Sequence, residues 1–314
     1  MKIAMLLLGI GLLNSSLPLT ASEIRLDAQT ETLVTNNPAI KWAPAKLVNG
    51  APCVFRIRPA MKLKSLSGTF LGKKVFFDFD QASGDWYVLA GIDYDTKPGS
   101  YMLALEGLTA SGQRQSFNQS IPISKGFYRS TALTVERKYV EPDPETLKRI
   151  KLEQTIKAEA FRTFSTDRKW AGKFIVPVNT ATTAEYGSQR TYNGVRQSVH
   201  QGLDFRAGIG TPIHAINSGK VILARDLFFE GNCVVIDHGQ GLLSLYLHLS
   251  EFKVQEGDEV ARGQLIALSG GTGRVTGPHL HLAVRWQGIY LDPAILLHLD
   301  LPDSKEKQSA GATR

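Results

Sequence analysis

The chain has 314 residues, of which 43% are hydrophobic and 21% charged, and its formal net charge is +7. That length fits two ordinary domains, and that composition excludes an intrinsically disordered chain. Because the basic residues form no dense cluster interleaved with aromatic residues, we expect no nucleic-acid partner; a basic secreted protein instead suits an anionic polymer such as cell wall, or a membrane surface.

Residues 1–22 have the pattern of a secretory signal peptide. Lys2 is followed by an apolar run from Ile3 to Leu13, and Thr20 and Ser22 are small residues at a plausible cleavage site. The apolar run is too short to span a bilayer comfortably, and no later segment approaches ~18 consecutive apolar residues. We therefore expect a protein secreted across the inner membrane, in the periplasm or cell envelope, with no stable span after cleavage. An uncleaved anchor is the alternative.

Residues 23–140 predict a small antiparallel β-sandwich of immunoglobulin type. Short runs rich in Val, Phe, Tyr and Ile alternate with turn signals such as "ASGD" at 82–85 and "ASGQ" at 110–113. No histidine occurs in this segment. We expect it to be non-catalytic.

Residues 141–168 predict a connecting helix. Asp143 is a good N-cap, and Pro144 suits the first helical position. Leu152, Ile156, Ala160 and Phe164 recur every four residues on an otherwise charged segment, which predicts an apolar stripe packed on one or both domains.

Residues 169–300 return to strand-like runs with glycine-rich turns, and the polar tail at 301–314 is expected to be disordered. The fold class is thus mainly β, with a second antiparallel sheet domain.

The mature chain keeps only Cys53 and Cys233, one in each predicted domain. We expect two separate buried thiols rather than a disulfide.

The chemistry-bearing residues lie in this second domain. In "TGPHLHLAV" His279 and His281 are two apart, so a strand would point both the same way and bury Leu280. In "SVHQGLDFRAG" His200 and Asp204 are four apart. Two imidazoles and a carboxylate form a ligand set that zinc accepts, with a fourth position left for water.

With "YLHLS", which contains His248, these motifs resemble the M23 family of zinc metallopeptidases, the lysostaphin-like peptidoglycan endopeptidases. The resemblance implies the duplicated hybrid motif of that family over residues 169–300. It implies one zinc ion per chain bound by His200, Asp204 and His281, and a catalytic pair formed by His248 and His279. Residues 23–140 are also similar to the sandwich that precedes some M23 domains.

The resemblance implies a metalloendopeptidase that hydrolyses the peptide cross-links of peptidoglycan through a zinc-activated water. Where many family members have Phe-Glu after the last ligand, this chain has Leu282 and Ala283. Some relatives have lost their ligands and only activate other wall enzymes, which is the alternative function; the retained ligands favour activity. D-alanyl–diaminopimelate cross-links and glycyl bridges are both possible substrates. The sequence leaves the oligomeric state open.

A cytoplasmic phosphocarrier with a similar glycine-rich sheet is disfavoured by the signal peptide and by Asp204. Among the remaining polar residues, we predict structural or turn roles for His214 and His238, and an incidental position for His298 near the tail. Arg190 and Tyr246 are candidates for lining the cleft, Arg190 as a partner of a peptide carboxylate.

Overall fold

The computed structural model describes residues 38–194 and 196–303. These residues are mainly β, as predicted, and nearly all strand pairs are antiparallel. The predicted signal peptide and most of the predicted tail lie outside the described residues. Within the described ranges, no helix is both long and apolar enough to cross a bilayer.

The N-terminal strands form two four-stranded antiparallel sheets. Their orders are β1-β2-β6-β5 and β4-β3-β7-β8. The strands are β1 (Lys41–Ala43), β2 (Pro52–Ile57), β3 (Leu63–Phe70), β4 (Lys73–Phe76), β5 (Asp78–Asp80), β6 (Asp85–Gly91), β7 (Gly99–Thr109) and β8 (Arg114–Ile123). The two sheets share a core, in which the rings of Phe55 and Phe70 meet edge to face with centroids 5.0 Å apart. The immunoglobulin-type arrangement and the boundaries at 23, 140 and 168 stay predictions.

Between the two regions come β9 (Ser130–Leu133), a 3-10 turn (Arg137–Tyr139) and α1 (Pro144–Ala160). The predicted cap of α1 is confirmed, since the Asp143 side chain accepts a hydrogen bond from the Thr146 backbone N–H at 2.8 Å.

The predicted apolar stripe is confirmed only in its middle, because Leu152 faces solvent and Phe164 lies beyond the end of α1. Ile156 and Ala160 pack against buried residues, but Leu152 is 63% exposed and Phe164 49% exposed. The buried side chain is instead Glu153, which accepts hydrogen bonds from Arg149 and from the Phe228 backbone N–H. Polar contacts of Glu153 therefore anchor this helix together with the apolar packing of Ile156 and Ala160.

The C-terminal region contains a ten-stranded sheet with the main order β10-β13-β20-β17-β16-β15-β18. The strands of this region are β10 (Thr182–Ala184), β11 (Gln189–Tyr192), β12 (Arg196–Val199), β13 (Leu203–Phe205), β14 (Pro212–His214), β15 (Gly219–Leu227), β16 (Gly231–Asp237), β17 (Leu242–Phe252), β18 (Glu259–Val260), β19 (Leu265–Ser269), β20 (Leu280–Trp286) and β21 (Ile289–Leu291), followed by α2 (Pro293–His298).

Three strands lie apart from this sheet, in the order β12-β11-β9, and β9 pairs with β11 in parallel. The central strands of the large sheet separate two apolar clusters. On β20, Leu280, Leu282 and Val284 join the large core that also contains the N-terminal sheets. Ala283 faces the other cluster, on which α1 packs. Because side chains alternate along a strand, His281 lies on the same face as Ala283.

Candidate metal centre and active site

Three predicted ligands meet on the neighbouring strands β13 and β20 of the large sheet and on the segment before β13. Asp204 on β13 lies directly opposite His281 on β20 in the antiparallel register, and His200 precedes β13. The carboxylate Oδ1 of Asp204 lies 2.8 Å from His281 Nδ1 and 3.0 Å from His200 Nε2, and the two ring nitrogens are 3.0 Å apart. Three donor atoms thus form a nearly equilateral triangle, and all three side chains are buried or close to it.

The ring of His200 is oriented by its second nitrogen. His200 Nδ1 lies 2.8 Å from the Glu185 carbonyl oxygen, and since a carbonyl only accepts, Nδ1 carries the proton. The lone pair of Nε2 therefore points into the triangle, which is the arrangement that fixes metal-bound histidines.

Gly202 allows the chain to pass close to the ring of His281. A Cβ at this position would lie 2.4 Å from His281 Nε2 and 2.5 Å from the Leu282 carbonyl oxygen. Only glycine leaves that space free.

The two remaining predicted residues lie beside the triangle. His279 Nε2 is 3.8 Å from Asp204 Oδ1, and the rings of His279 and His248 are 4.9 Å apart between centroids. As expected, Leu280 between the two histidines is fully buried. Each of the pair has Nδ1 near a backbone carbonyl, that of Gly277 at 2.8 Å for His279 and that of Thr272 at 2.9 Å for His248. Both rings therefore carry the proton on Nδ1 and leave Nε2 as an acceptor.

His248 has left-handed backbone geometry, with φ +64°, in the middle of β17. Its backbone N–H donates to the Glu230 carbonyl at 2.9 Å instead of to a regular ladder partner. Non-glycine residues in this region are uncommon and cluster at functional sites.

A groove of about 610 Å³ opens beside Asp204, His248 and His279. One part of its wall is built by β9 and β11, so the segment that precedes α1 also lines the groove. Four arginines are among the lining residues: Arg129, Arg190, Arg206 and Arg274. Of these, only Arg190 was predicted from the sequence to line the cleft. No local spacing marks Arg129, because parallel pairing of β9 with β11 brings it to the groove.

Comparison with known proteins adds a family to this geometry. The model for peptidase family M23 matches residues 198–293, which contain all five site residues. A crystal structure from Pseudomonas aeruginosa assigned to peptidase M23 is 31% identical and superposes with a TM-score of 0.60. The superposition covers 80% of this chain and 95% of that chain. The chain belongs to peptidase family M23.

Two relatives in Vibrio cholerae serotype O1 carry the name peptidoglycan DD-endopeptidase. ShyA is 34% identical over 175 residues, which are 54% of this chain and 36% of that protein. ShyB is 43% identical over 110 residues, 35% of this chain and 25% of that protein. The matches therefore span about a third or less of the length of these relatives.

The donor set of this M23 chain fits a small tetrahedral cation. Zinc bonds of about 2.0–2.1 Å place neighbouring ligand atoms about 3.3 Å apart, close to the 2.8–3.0 Å edges of the triangle. Two neutral imidazoles and one carboxylate suit zinc better than calcium or magnesium, which prefer oxygen ligands. His200, Asp204 and His281 are thus suited to hold one ion.

The protonation of the triad also favours cation binding. Burial opposes ionisation of Asp204, but its contacts with the rings of His200 and His281 outweigh that effect and hold the Asp204 pKa well below its usual range. Burial lowers the pKa of His281 to about 4 and that of His248 to about 3. At neutral pH the site therefore offers the Asp204 carboxylate and the uncharged imidazoles of His281 and His248.

Arg190 already has a carboxylate partner within the protein. Its Nη2 donates to Asp204 Oδ2 at 2.9 Å, so it binds the carboxylate oxygen that is not part of the triangle. The expectation for Tyr246 is wrong. Its ring is fully buried, and its hydroxyl accepts from the Ile216 backbone N–H at 2.8 Å. Its position on β17 turns it into the core rather than towards the groove.

Two further expectations are confirmed. Cys53 and Cys233 are free, buried thiols, and burial raises the pKa of both, so neither is a nucleophile. His238 is fully buried, with Nδ1 2.7 Å from the Ser218 carbonyl oxygen. It is a structural residue outside the groove.

Proposed function

We propose that this chain is a zinc metalloendopeptidase that hydrolyses peptide cross-links of peptidoglycan, outside the cytoplasm where that polymer lies. One zinc ion per chain is held by His200, Asp204 and His281. The observation that carries the proposal is the triangle of donor atoms with edges of 2.8–3.0 Å, directly beside two histidines whose Nε2 atoms are free to accept. The names of the Vibrio relatives support peptidoglycan as the substrate.

The ion would supply Lewis acidity, which lowers the pKa of a water and polarises the scissile carbonyl. The chain's own residues then handle the proton. His279 is half-buried on the groove wall, and its Nε2 can accept a proton from the attacking water and return it to the leaving amine. His248 is buried behind it with the same tautomer, held by the Thr272 carbonyl. Asp204 would hold the ion through Oδ1 while Arg190 donates to its Oδ2.

The test is hydrolysis of purified sacculi by the mature chain, followed by mass spectrometry of the released muropeptides. We expect cleaved cross-links that disappear with a chelator and return when zinc is added. Metal analysis of the same preparation is expected to give one zinc per chain.

A zinc-loaded chain that releases no muropeptides, yet accelerates another wall hydrolase added to the same sacculi, would refute the proposal in favour of an activator. His279→Ala is the matched control, because it is expected to keep zinc and to lose release.

A further inference from the structure

The groove beside His279 carries an excess of positive charge. Four arginines line it, whereas Asp204 and Glu185 are its only carboxylate-bearing lining residues in the described part of the chain. A bound divalent cation would add to that excess. Such a groove attracts anionic substrates and repels cationic ones.

Two of the four arginines already have structural partners. Arg190 is paired with Asp204 at 2.9 Å. Arg274 has its guanidinium 4.6 Å from the ring centre of Tyr192 and 4.8 Å from that of Phe229. These two side chains shape the groove and hold its walls.

Arg129 and Arg206 differ from this pair. Both are exposed, and neither has a carboxylate within ion-pair distance among residues 38–194 and 196–303. Exposed arginines are often merely solvated, so exposure alone would carry no inference.

The backbone fixes both positions on the groove. The Arg129 carbonyl accepts from the Gln189 N–H at 2.8 Å, where β9 joins β11. The Arg206 N–H donates to the Ala181 carbonyl at 2.9 Å. Arg206 also follows Asp204 by two residues, which places both side chains on the same side of the chain as it leaves β13. Two guanidinium groups that have no carboxylate partner in the described part of the chain are thus held on the same groove as His279 by ordered backbone.

We infer that Arg129 and Arg206 are specificity-determining residues that bind free carboxylates flanking the scissile bond of the substrate. The planar guanidinium pairs with a carboxylate through two parallel hydrogen bonds, which gives direction as well as charge. Cross-links between stem peptides that contain diaminopimelate carry such carboxylates, and neutral glycyl bridges do not. The groove therefore selects acidic stem-peptide cross-links. This inference rests on the proposed function and adds to it the substrate class.

The test compares two synthetic cross-linked stem-peptide dimers, identical except that the diaminopimelate carboxylates are free in one and amidated in the other. The zinc-loaded full chain is expected to have the higher kcat/KM for the free-carboxylate dimer, with a preference that shrinks as salt rises. Arg129→Gln and Arg206→Gln are each expected to reduce that preference about five-fold, the upper end for an exposed ion pair. The matched control is Arg114→Gln, which removes the same charge from an exposed position on β8 outside the groove. It is expected to leave the preference unchanged.

A binding measurement separates this inference from the proposed function. Fluorescently labelled stem peptides, with free or amidated carboxylates, are titrated into the chelator-treated chain. Tighter binding of the free-carboxylate peptide that depends on Arg129 and Arg206 would support the inference even if neither dimer were cleaved. Cleavage of both dimers at equal rates, with the groove variants indistinguishable from Arg114→Gln, would overturn the inference and leave the peptidase standing.

Discussion

Gly202→Ala tests the packing behind the metal centre most directly. The added Cβ would lie 2.4 Å from His281 Nε2 and 2.5 Å from the Leu282 carbonyl oxygen, whereas ordinary van der Waals contacts begin at 3.4 Å. Relief requires a shift of about 1 Å. Leu282 lies on β20 between β13 and β17, so its backbone is fixed on both sides and the His281 ring is the group that moves.

A shift of that size exceeds the roughly 0.2 Å tolerance of a zinc site. We expect zinc affinity to fall about 100-fold, with a loss of about 1–3 kcal/mol in the free energy of unfolding from overpacking. Competition titration against a chelator of known affinity measures the zinc affinity, and denaturant titration measures the free energy of unfolding. Gly208→Ala is the control, because a Cβ there meets nothing within 4 Å. If Gly202→Ala bound zinc as tightly as Gly208→Ala, the close approach described here would be wrong.

Three further predictions use other residues of the site and its support. His281→Ala is expected to lose zinc and activity together, whereas His279→Ala keeps zinc and loses about 10²–10⁴-fold in turnover; the reverse pattern in metal analysis would exchange the two roles. Glu153→Gln is expected to lower the free energy of unfolding by about 1–2 kcal/mol, because it weakens a buried carboxylate contact to the Phe228 backbone N–H. The control is Glu145→Gln, at an exposed position on the same helix. Equal stabilities of the two variants would contradict this prediction. Burial lowers the pKa of His238 to about 4, so the native state prefers the uncharged ring, and the stability this gives above pH 6.5 is lost as pH falls towards 4. Between pH 7 and 5 the free energy of unfolding of the wild type is expected to fall by about 2 kcal/mol more than that of His238→Gln. Parallel pH profiles of the two unfolding free energies would refute this prediction.

The motifs could mark candidate site residues because four of the five lie in two short segments. His200 and Asp204 are four residues apart, and His279 and His281 share one strand end, so short-range geometry already brings each pair together. The structure then joins the pairs through the register of β13 and β20. Nothing in the sequence revealed that Arg129 lines the same groove, since a parallel pairing between distant segments leaves no periodic signal.

The prediction of an apolar stripe on α1 was wrong in part, for a different physical reason. Apolar residues four apart predict a stripe only if apolar packing alone decides which face is buried. On α1 the charged residues decide: Glu153 accepts from the Phe228 backbone N–H, and Lys157 pairs with Glu230. Leu152 therefore faces solvent. Both contacts tie the helix to the turn between β15 and β16, which a hydrophobic pattern does not encode.

That turn matters because it fixes His248. Along β17, Tyr246 and Leu249 both belong to the large core although they are three residues apart, whereas strict alternation would put them on opposite faces. The register of β16 with β17 shifts over this stretch, so one extra residue is inserted at His248, with φ +64°. A residue held in that region costs about 1–3 kcal/mol, which the surrounding contacts must offset.

Two hydrogen bonds stabilise His248 in this conformation, and neither partner belongs to β17. The His248 N–H donates to the Glu230 carbonyl, and its Nδ1 donates to the Thr272 carbonyl. Gly231 allows these two loops to touch, since a Cβ there would lie 2.3 Å from the Thr272 hydroxyl oxygen. The inserted residue thus turns an imidazole towards His279 while the strand on either side keeps its apolar side chains in the core. The motif "YLHLS" supplies the histidine, but three segments outside β17, including α1 through Lys157 and Glu230, determine where it points.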